Sequence, residues 1–152
     1  METILGGVLV ALVSLYGGYL LRGLAERRSG KRALVRERLD AIHDGIAHSS
    51  RIRASITGGQ AEAAAGVPKS QRRETAKQIG DLHAEGAGVI QDSIFAAEAL
   101  EAWDLAVAMG EALGLLGTAA TSPRSDHLSG ELGAKLGQIR KLYEALRDKE
   151  LG

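Results

Sequence analysis

The chain has 152 residues, of which 45% are apolar, only 3% are aromatic and none is Cys, and its 19 basic residues balance its 19 acidic ones. This length allows one domain, or a short anchor plus one small domain, and excludes a second enzyme-sized unit. The lack of Cys excludes disulfide frameworks, thiolate zinc sites and thiol nucleophiles. Because the apolar residues are mostly Ala, Leu, Ile and Val, we predict an all-α fold.

The N-terminal segment is the most apolar part of the chain. Residues 3–21 are 19 positions without a charge, which as a helix would reach roughly 28 Å and match the hydrocarbon core of a bilayer. The residues before them are not basic, in contrast to the start of a cleavable signal peptide. We therefore predict a transmembrane anchor over residues 1–23 and a helical domain over residues 24–152.

A basic cluster follows the predicted anchor and comprises Arg22, Arg27, Arg28, Lys31 and Arg32. The positive-inside rule predicts that this flank is cytoplasmic, so the N-terminus lies outside a bacterial-type inner membrane and the helical domain lies inside. The same side chains suit contact with anionic lipid headgroups, which makes the bilayer a predicted partner. No aromatic residues or recognition-helix features accompany them, so nucleic-acid binding is not expected.

Small residues recur along one side of the predicted anchor. They are Gly7, Ala11, Ser14 and Gly18, at steps of four, three and four residues. Membrane helices associate where small side chains let their backbones approach, so this face predicts self-association into a homo-oligomer. Glycine is also common elsewhere, at 20 of 152 residues, which leaves open that the pattern reflects composition.

Three amphipathic helices are predicted after the anchor. The first covers residues 24–57, where Leu39, Ile42 and Ile46 keep a three-four spacing, and we expect Gly58-Gly59 to end it. The second covers 69–117, although Gly86 and Gly88 leave a break possible. The third covers 123–149, with Pro123 at its first turn.

The second predicted helix carries the widest apolar face. It is formed by Phe95, Ala99, Ala102, Ala106, Met109, Leu113 and Leu116, with Trp103 in an adjacent stripe. A face of this width packs against two neighbouring helices. We therefore predict a cytoplasmic three-helix antiparallel bundle in up-down-up order, or a long helical hairpin.

The charges are unevenly distributed along the chain. Residues 22–77 contain 13 basic and 6 acidic residues, whereas residues 78–123 contain 7 acidic residues and no Lys or Arg. An antiparallel hairpin would place the acidic half beside the basic half. Exposed pairs of this kind contribute only about 0–1 kcal/mol each, so they would favour one orientation more than they stabilise the fold.

No residue pattern in the sequence indicates a reaction. The four histidines lack the spacing of metal ligands, and neither a phosphate-binding loop nor a dinucleotide-binding turn is present. We expect no catalytic residues, no metal and no cofactor. The sequence predicts a single-pass membrane-anchored interaction or scaffold protein that self-associates and binds a cytoplasmic protein. The alternative is a membrane-active, holin-like protein of phage or plasmid type that uses residues 105–120, which hold one charge, as a second membrane element.

Overall fold

The computed structural model describes the backbone of residues 2–121 and 126–152 and the side chains of residues 29–121 and 128–152. Within these residues the structure is helical without strands, which confirms the predicted all-α class. The four helices described are α1 (Glu2–Ala64), α2 (Lys69–Ala99), α3 (Trp103–Thr121) and α4 (Asp126–Leu151). The chain divides into two compact units, Met1–Arg36 and Glu37–Gly152, and the second unit contains the helical bundle.

Among the residues whose side chains are described, no helix is long and apolar enough to span a membrane. The described part includes α3, which contains the predicted second membrane element at residues 105–120. The predicted anchor at residues 1–23 lies outside the residues with described side chains.

In the second unit, α1 and α2 form an antiparallel hairpin. At one end the Arg38 guanidinium donates a hydrogen bond of 2.8 Å to the backbone oxygen of Ala99. At the other end the Thr75 hydroxyl donates a hydrogen bond of 2.8 Å to the Glu62 carboxylate. Residues early in this part of α1 therefore lie beside residues late in α2. Near the α1–α2 turn, the last residues of α1 lie beside the first residues of α2.

Helices α3 and α4 complete the bundle. Lys135 of α4 forms an ion pair of 2.6 Å with Glu111 of α3. Arg140 of α4 donates a hydrogen bond of 3.2 Å to Ser50 of α1, so α4 also packs against the first helix. The order is up-down-up-down, and the prediction of three helices in up-down-up order is therefore wrong by one helix.

The first helix ends later than predicted. It continues through Gly58-Gly59 to Ala64, so the predicted end at residue 57 is wrong. Glycine inside a helix costs only about 1 kcal/mol, and packing outweighs this cost. The chain turns instead at Gly66, whose φ of 74° is the left-handed conformation that glycine adopts readily.

The predicted helix over residues 69–117 is two helices. Its interruption lies at residues 100–102, where Glu101 adopts a φ of 58°. The Ala102 N–H donates to the Ala97 oxygen at 2.9 Å and the Glu101 N–H donates to the Glu98 oxygen at 2.9 Å, a hydrogen-bond pattern typical of helix C-termini. Gly86 and Gly88, by contrast, lie within continuous α2.

Aliphatic side chains from all four helices form the core of the bundle. The largest that are fully buried include Ile42, Ile52, Ile56, Ile90, Leu105, Met109, Leu116, Leu132 and Ile139. At the centre, Gly45 of α1 faces the fully buried Ser93 of α2 so closely that a Cβ on Gly45 would lie 2.6 Å from the Ser93 Cβ. The Ser93 hydroxyl donates to the Ile90 oxygen at 2.8 Å, so this buried polar group is satisfied within its own helix.

The last helix ends two residues beyond its predicted end. α4 covers Asp126–Leu151, against a predicted range of 123–149. The predicted first turn at Ser122-Pro123 lies outside the described residues.

Candidate interaction surface

The outer face of α3 is apolar and exposed. The side chains of Trp103 and Val107 are 60% and 61% exposed. They lie four residues apart and therefore on the same side of the helix. Leu105 and Met109, on the opposite side, are buried in the core. One helix thus presents apolar side chains both to the bundle and to its surroundings.

This exposed face continues into two glycines. Gly110 and Gly114 follow Val107 at steps of three and four residues, and a Cβ on either would meet no atom within 4 Å. We refer to Trp103, Val107, Gly110 and Gly114 as the α3 outer stripe. The end with Trp103 and Val107 carries bulky side chains and forms a ridge. The end with Gly110 and Gly114 carries no side chains and forms a hollow.

The hollow opens into a groove between α2 and α3. The groove encloses about 640 Å³ and is lined by His83, Ala87, Gly110, Leu113, Gly114, Gly117, Thr118 and Thr121. A Cβ on Gly117 would lie 3.5 Å from the His83 Nε2. That nitrogen is buried and has no hydrogen-bond partner. The groove is therefore mainly apolar with one unused polar atom in its wall.

Charged and polar side chains border the other side of the stripe. A hollow of about 380 Å³ between α3 and α4 includes Val107, Glu111, Lys135 and Gln138 in its lining. The Lys135 ammonium donates hydrogen bonds of 2.6 Å to Glu111 and 3.3 Å to Gln138. An exposed apolar centre beside a polar margin is the usual composition of a protein-protein interface.

The residues of the predicted helix-packing face are distributed over two helices. Ala106, Met109 and Leu116 are buried, and Ala102 and Leu113 are partly buried. Phe95, Ala99 and Trp103 are exposed. The turn at residues 100–102 separates Phe95 and Ala99 from the others, so the predicted stripe does not continue along one helix.

Most of the other predicted site residues fall in the N-terminal segment. Lys31 and Arg32 are exposed on α1. The positions outside the residues with described side chains are Gly7, Ala11, Ser14, Gly18, Arg22, Arg27 and Arg28.

The titratable groups of the bundle form no metal-binding cluster of three or more ligands within the described part of the chain. His43 lies against Tyr143, with ring centroids 6.0 Å apart. Burial raises the pKa of the Tyr143 phenol; nearby Arg147 lowers it and Asp40 raises it further. His48 Nδ1 lies within hydrogen-bond distance of the Asp44 backbone oxygen, at 3.1 Å.

Comparison of the chain with protein-family models, with curated proteins and with solved structures found no match.

The sequence predicts Trp103 to lie in a packing face, whereas in the structure its side chain is exposed. Its exposure follows from the turn before it, and Glu101 at the centre of that turn is a residue type that does not mark a helix end. The sequence does contain a signal, because the series of Trp103 and Val107 continues at the same helical spacing to Gly110 and Gly114. A stripe that loses its side chains along one helix is poorly suited to a core.

Proposed function

We propose that this chain is a membrane-tethered helical-bundle protein that acts by binding other proteins, beginning with further copies of itself, and that it catalyses no reaction. The observation that carries the proposal is the α3 outer stripe, with Trp103 and Val107 each about three-fifths exposed. Large apolar side chains clustered on a surface lose contact with water when a partner covers them, and this loss favours association.

The stripe is suited to a specific contact because of its shape. A tryptophan beside a glycine-lined hollow offers both an anchor and a receptor for an anchor. In an antiparallel pair of α3 helices centred near Gly110, Trp103 of one copy would lie over Gly117 of the other. The same residues would then serve both copies, as they must in a two-fold dimer.

The tether is supported by the sequence. Residues 3–21 hold no charge and are followed by basic residues, so we propose a span with the N-terminus outside and the bundle in the cytoplasm. The test is separation of membranes from cytosol after expression of the full chain. We expect it in the membrane fraction after a carbonate wash. Recovery in the cytosol would overturn the tether without affecting the proposed stripe.

Self-association is tested by crosslinking the full chain in membranes. Replacing Trp103 and Val107 by Ser should lower the crosslinked dimer roughly tenfold or more, because buried aromatic anchors dominate interface energies. Leu151→Ser is a matched control, since Leu151 is 51% exposed but lies at the end of α4. An unchanged amount of crosslinked dimer in the double variant would exclude the α3 outer stripe as the contact between copies.

The predicted membrane face offers a second route to the same oligomer. Replacing Gly7 and Gly18 by Leu would block close approach of two membrane helices. If only these variants lose the crosslink, the anchor alone drives self-association. The stripe would then be available for a different cytoplasmic protein, which is the other partner that we propose.

A further inference from the structure

The acidic half of the chain keeps its charge in the folded bundle. Residues 78–123 contain 7 acidic residues and no Lys or Arg. Within the part of the chain that has described side chains, Glu111 is the one of these acidic residues that forms an ion pair, with Lys135. The others have no ion pair there, and they are Asp81, Glu85, Asp92, Glu98, Glu101 and Asp104.

The described basic residues of α1 do not neutralise these carboxylates, although α1 and α2 form the predicted hairpin. Where the two helices meet at the end of α2, Arg38 donates its hydrogen bond to the backbone oxygen of Ala99 and not to a carboxylate. The negative charge of α2 and α3 is therefore not compensated by α1, and it can attract a molecule outside the bundle.

Two of the unpaired carboxylates lie beside the α3 outer stripe. A hollow of about 280 Å³ at the start of α3 is lined by Glu101, Ala102, Trp103, Asp104, Leu105 and Leu142. Glu101, Trp103 and Asp104 are all exposed. The hollow therefore combines one face of apolar side chains, including an aromatic ring, with two negative charges.

The sign of this charge restricts what can cover the stripe. A surface with unpaired carboxylates repels nucleic acids and anionic lipids. A small inorganic cation would leave Trp103 and Val107 in contact with water, so it would not account for their exposure. A polypeptide that carries cationic side chains beside apolar ones matches both properties.

We propose that the α3 outer stripe binds a basic amphipathic segment of another protein, with an arginine of that segment in the hollow at Trp103. The inference rests on the proposed function, because it names the chemistry of the cytoplasmic partner. A guanidinium stacks on an indole ring and donates paired hydrogen bonds to carboxylates, here those of Glu101 and Asp104. Apolar side chains of the same segment would cover Val107 and Leu142.

The experiment is calorimetric titration of the full chain in phosphatidylcholine nanodiscs, with empty nanodiscs as the blank. The probe is a helical peptide of about 14 residues with leucine on one face and arginine along its borders. In the control peptide, citrulline replaces arginine, which keeps the shape and removes the charge. We expect the arginine peptide to bind at least about tenfold more tightly than the citrulline peptide.

A lysine version of the peptide tests the assignment of an arginine. It should bind about threefold more weakly than the arginine peptide, because an ammonium group neither stacks on the indole nor donates paired hydrogen bonds. Trp103→Leu keeps an apolar side chain without the aromatic ring. This variant should therefore bind the arginine and lysine peptides about equally.

Charge variants locate the binding. Glu101→Gln together with Asp104→Asn should weaken binding of the arginine peptide about tenfold, since each lost ion pair at a partly hydrated site contributes about threefold. The matched control is Asp81→Asn together with Glu85→Gln. It removes the same charge from exposed residues of α2 that do not line the hollow, and it should change the affinity less than about twofold.

Circular dichroism and the Tm establish that the variants fold. Equal binding of the arginine and citrulline peptides by the wild type, or equal losses in the two double charge variants, would overturn this inference. Self-association is measured separately, by crosslinking. A crosslinked dimer that depends on Trp103 and Val107, together with no preference for the arginine peptide, would retain the contact between copies and overturn the basic partner alone.

Discussion

Two residues determine how closely α1 and α2 approach at the centre of the bundle. Gly45 has no side chain, and a Cβ there would lie 2.6 Å from the Ser93 Cβ and 3.2 Å from the Met109 Cε. The buried hydroxyls of Ser49 and Ser93 donate to oxygens of their own helices. At Gly45 and Ser93 the contact between α1 and α2 is therefore steric, and neither serine hydroxyl donates a hydrogen bond across it.

Gly45→Ala should destabilise the bundle by about 1–3 kcal/mol, because the added methyl group forces the two helices apart. Gly58→Ala on the same helix is the matched control. A Cβ on Gly58 meets no atom within 4 Å, so this variant should gain up to about 1 kcal/mol from helix propensity. Urea unfolding of both variants measures the difference. Equal effects would show that the crossing is not tightly packed.

Because of Tyr143, we expect the stability of the bundle to depend on pH in the alkaline range. Burial, the largest effect on this group, raises the pKa of its phenol above the ordinary value of 10.0. The native state then holds the phenolic proton more tightly than the unfolded chain does. This contribution to stability is complete below pH 10 and is lost as the pH rises through the raised pKa.

The measurement is the tyrosinate absorbance of the folded chain during an alkaline titration, with Tyr143→Phe as the reference. The difference between the two titrations isolates Tyr143 from the other two tyrosines of the chain. We expect its midpoint above pH 10. A midpoint at or below pH 10 would mean that the phenol is as well solvated in the bundle as in the unfolded chain.

At the scale of the element, α1 and α2 end in the same hydrogen-bond pattern with different residues. After α1 the left-handed position is Gly66, and the Val67 N–H donates to the Glu62 oxygen at 3.2 Å. After α2 the equivalent position is Glu101. A residue with a Cβ is strained in this conformation and glycine is not.

Glu101→Gly should therefore stabilise the protein by about 0.5–1 kcal/mol and raise its Tm by about 1–4 °C. Gly66→Ala should have the opposite effect of similar size. Thermal unfolding of the two variants checks the pair. Glu101→Ala keeps the strain, so a gain in that variant as large as in Glu101→Gly would show that loss of the carboxylate, and not relief of the backbone, is responsible.

The helices were predictable where the spacing of apolar residues follows from their packing in the core. Leu39, Ile42 and Ile46 have the three-four spacing of a core face and are buried in the bundle. The helix ends were less predictable. The Gly58-Gly59 pair is typical of a helix end, but both residues lie within α1. Glu101, by contrast, lies at the end of α2, although its residue type does not indicate a helix end. Local propensities of about 1 kcal/mol are too small to fix a boundary against tertiary contacts.

The candidate surface was predictable only in part. The sequence places Trp103 in a stripe beside the predicted packing face, but its exposure depends on the turn at residues 100–102, which the sequence did not reveal. The acidic residues around Trp103 are present in the sequence. Only the fold shows that Glu101 and Asp104 line a hollow with Leu142, because that depends on how α4 packs against α3.

At the scale of the whole molecule, the second unit contains a complete bundle core. The buried side chains of α1 in this unit begin at Leu39, and those of α4 end at Leu146. Helices α2 and α3 each pack against the helix before and the helix after them, and α4 packs back against α1. The unit Glu37–Gly152 therefore has what it needs to fold without the residues before it.

A fragment of residues 37–152 is predicted to be helical and to unfold in one cooperative transition. Its Tm should lie within a few degrees of that of the full chain in mild detergent, since the removed residues supply none of the described core. Circular dichroism melting curves test this. A fragment that is disordered or melts gradually would show that the preceding segment of α1 is required.

Trp103 is the single tryptophan of the chain, and its indole is 60% exposed on α3. Its fluorescence therefore comes from one known place on the surface. Emission from a hydrated indole lies at long wavelength and shifts to shorter wavelength when the ring leaves water. Any event that covers the outer face of α3 thus has a built-in optical reporter, which can be read without attaching a dye.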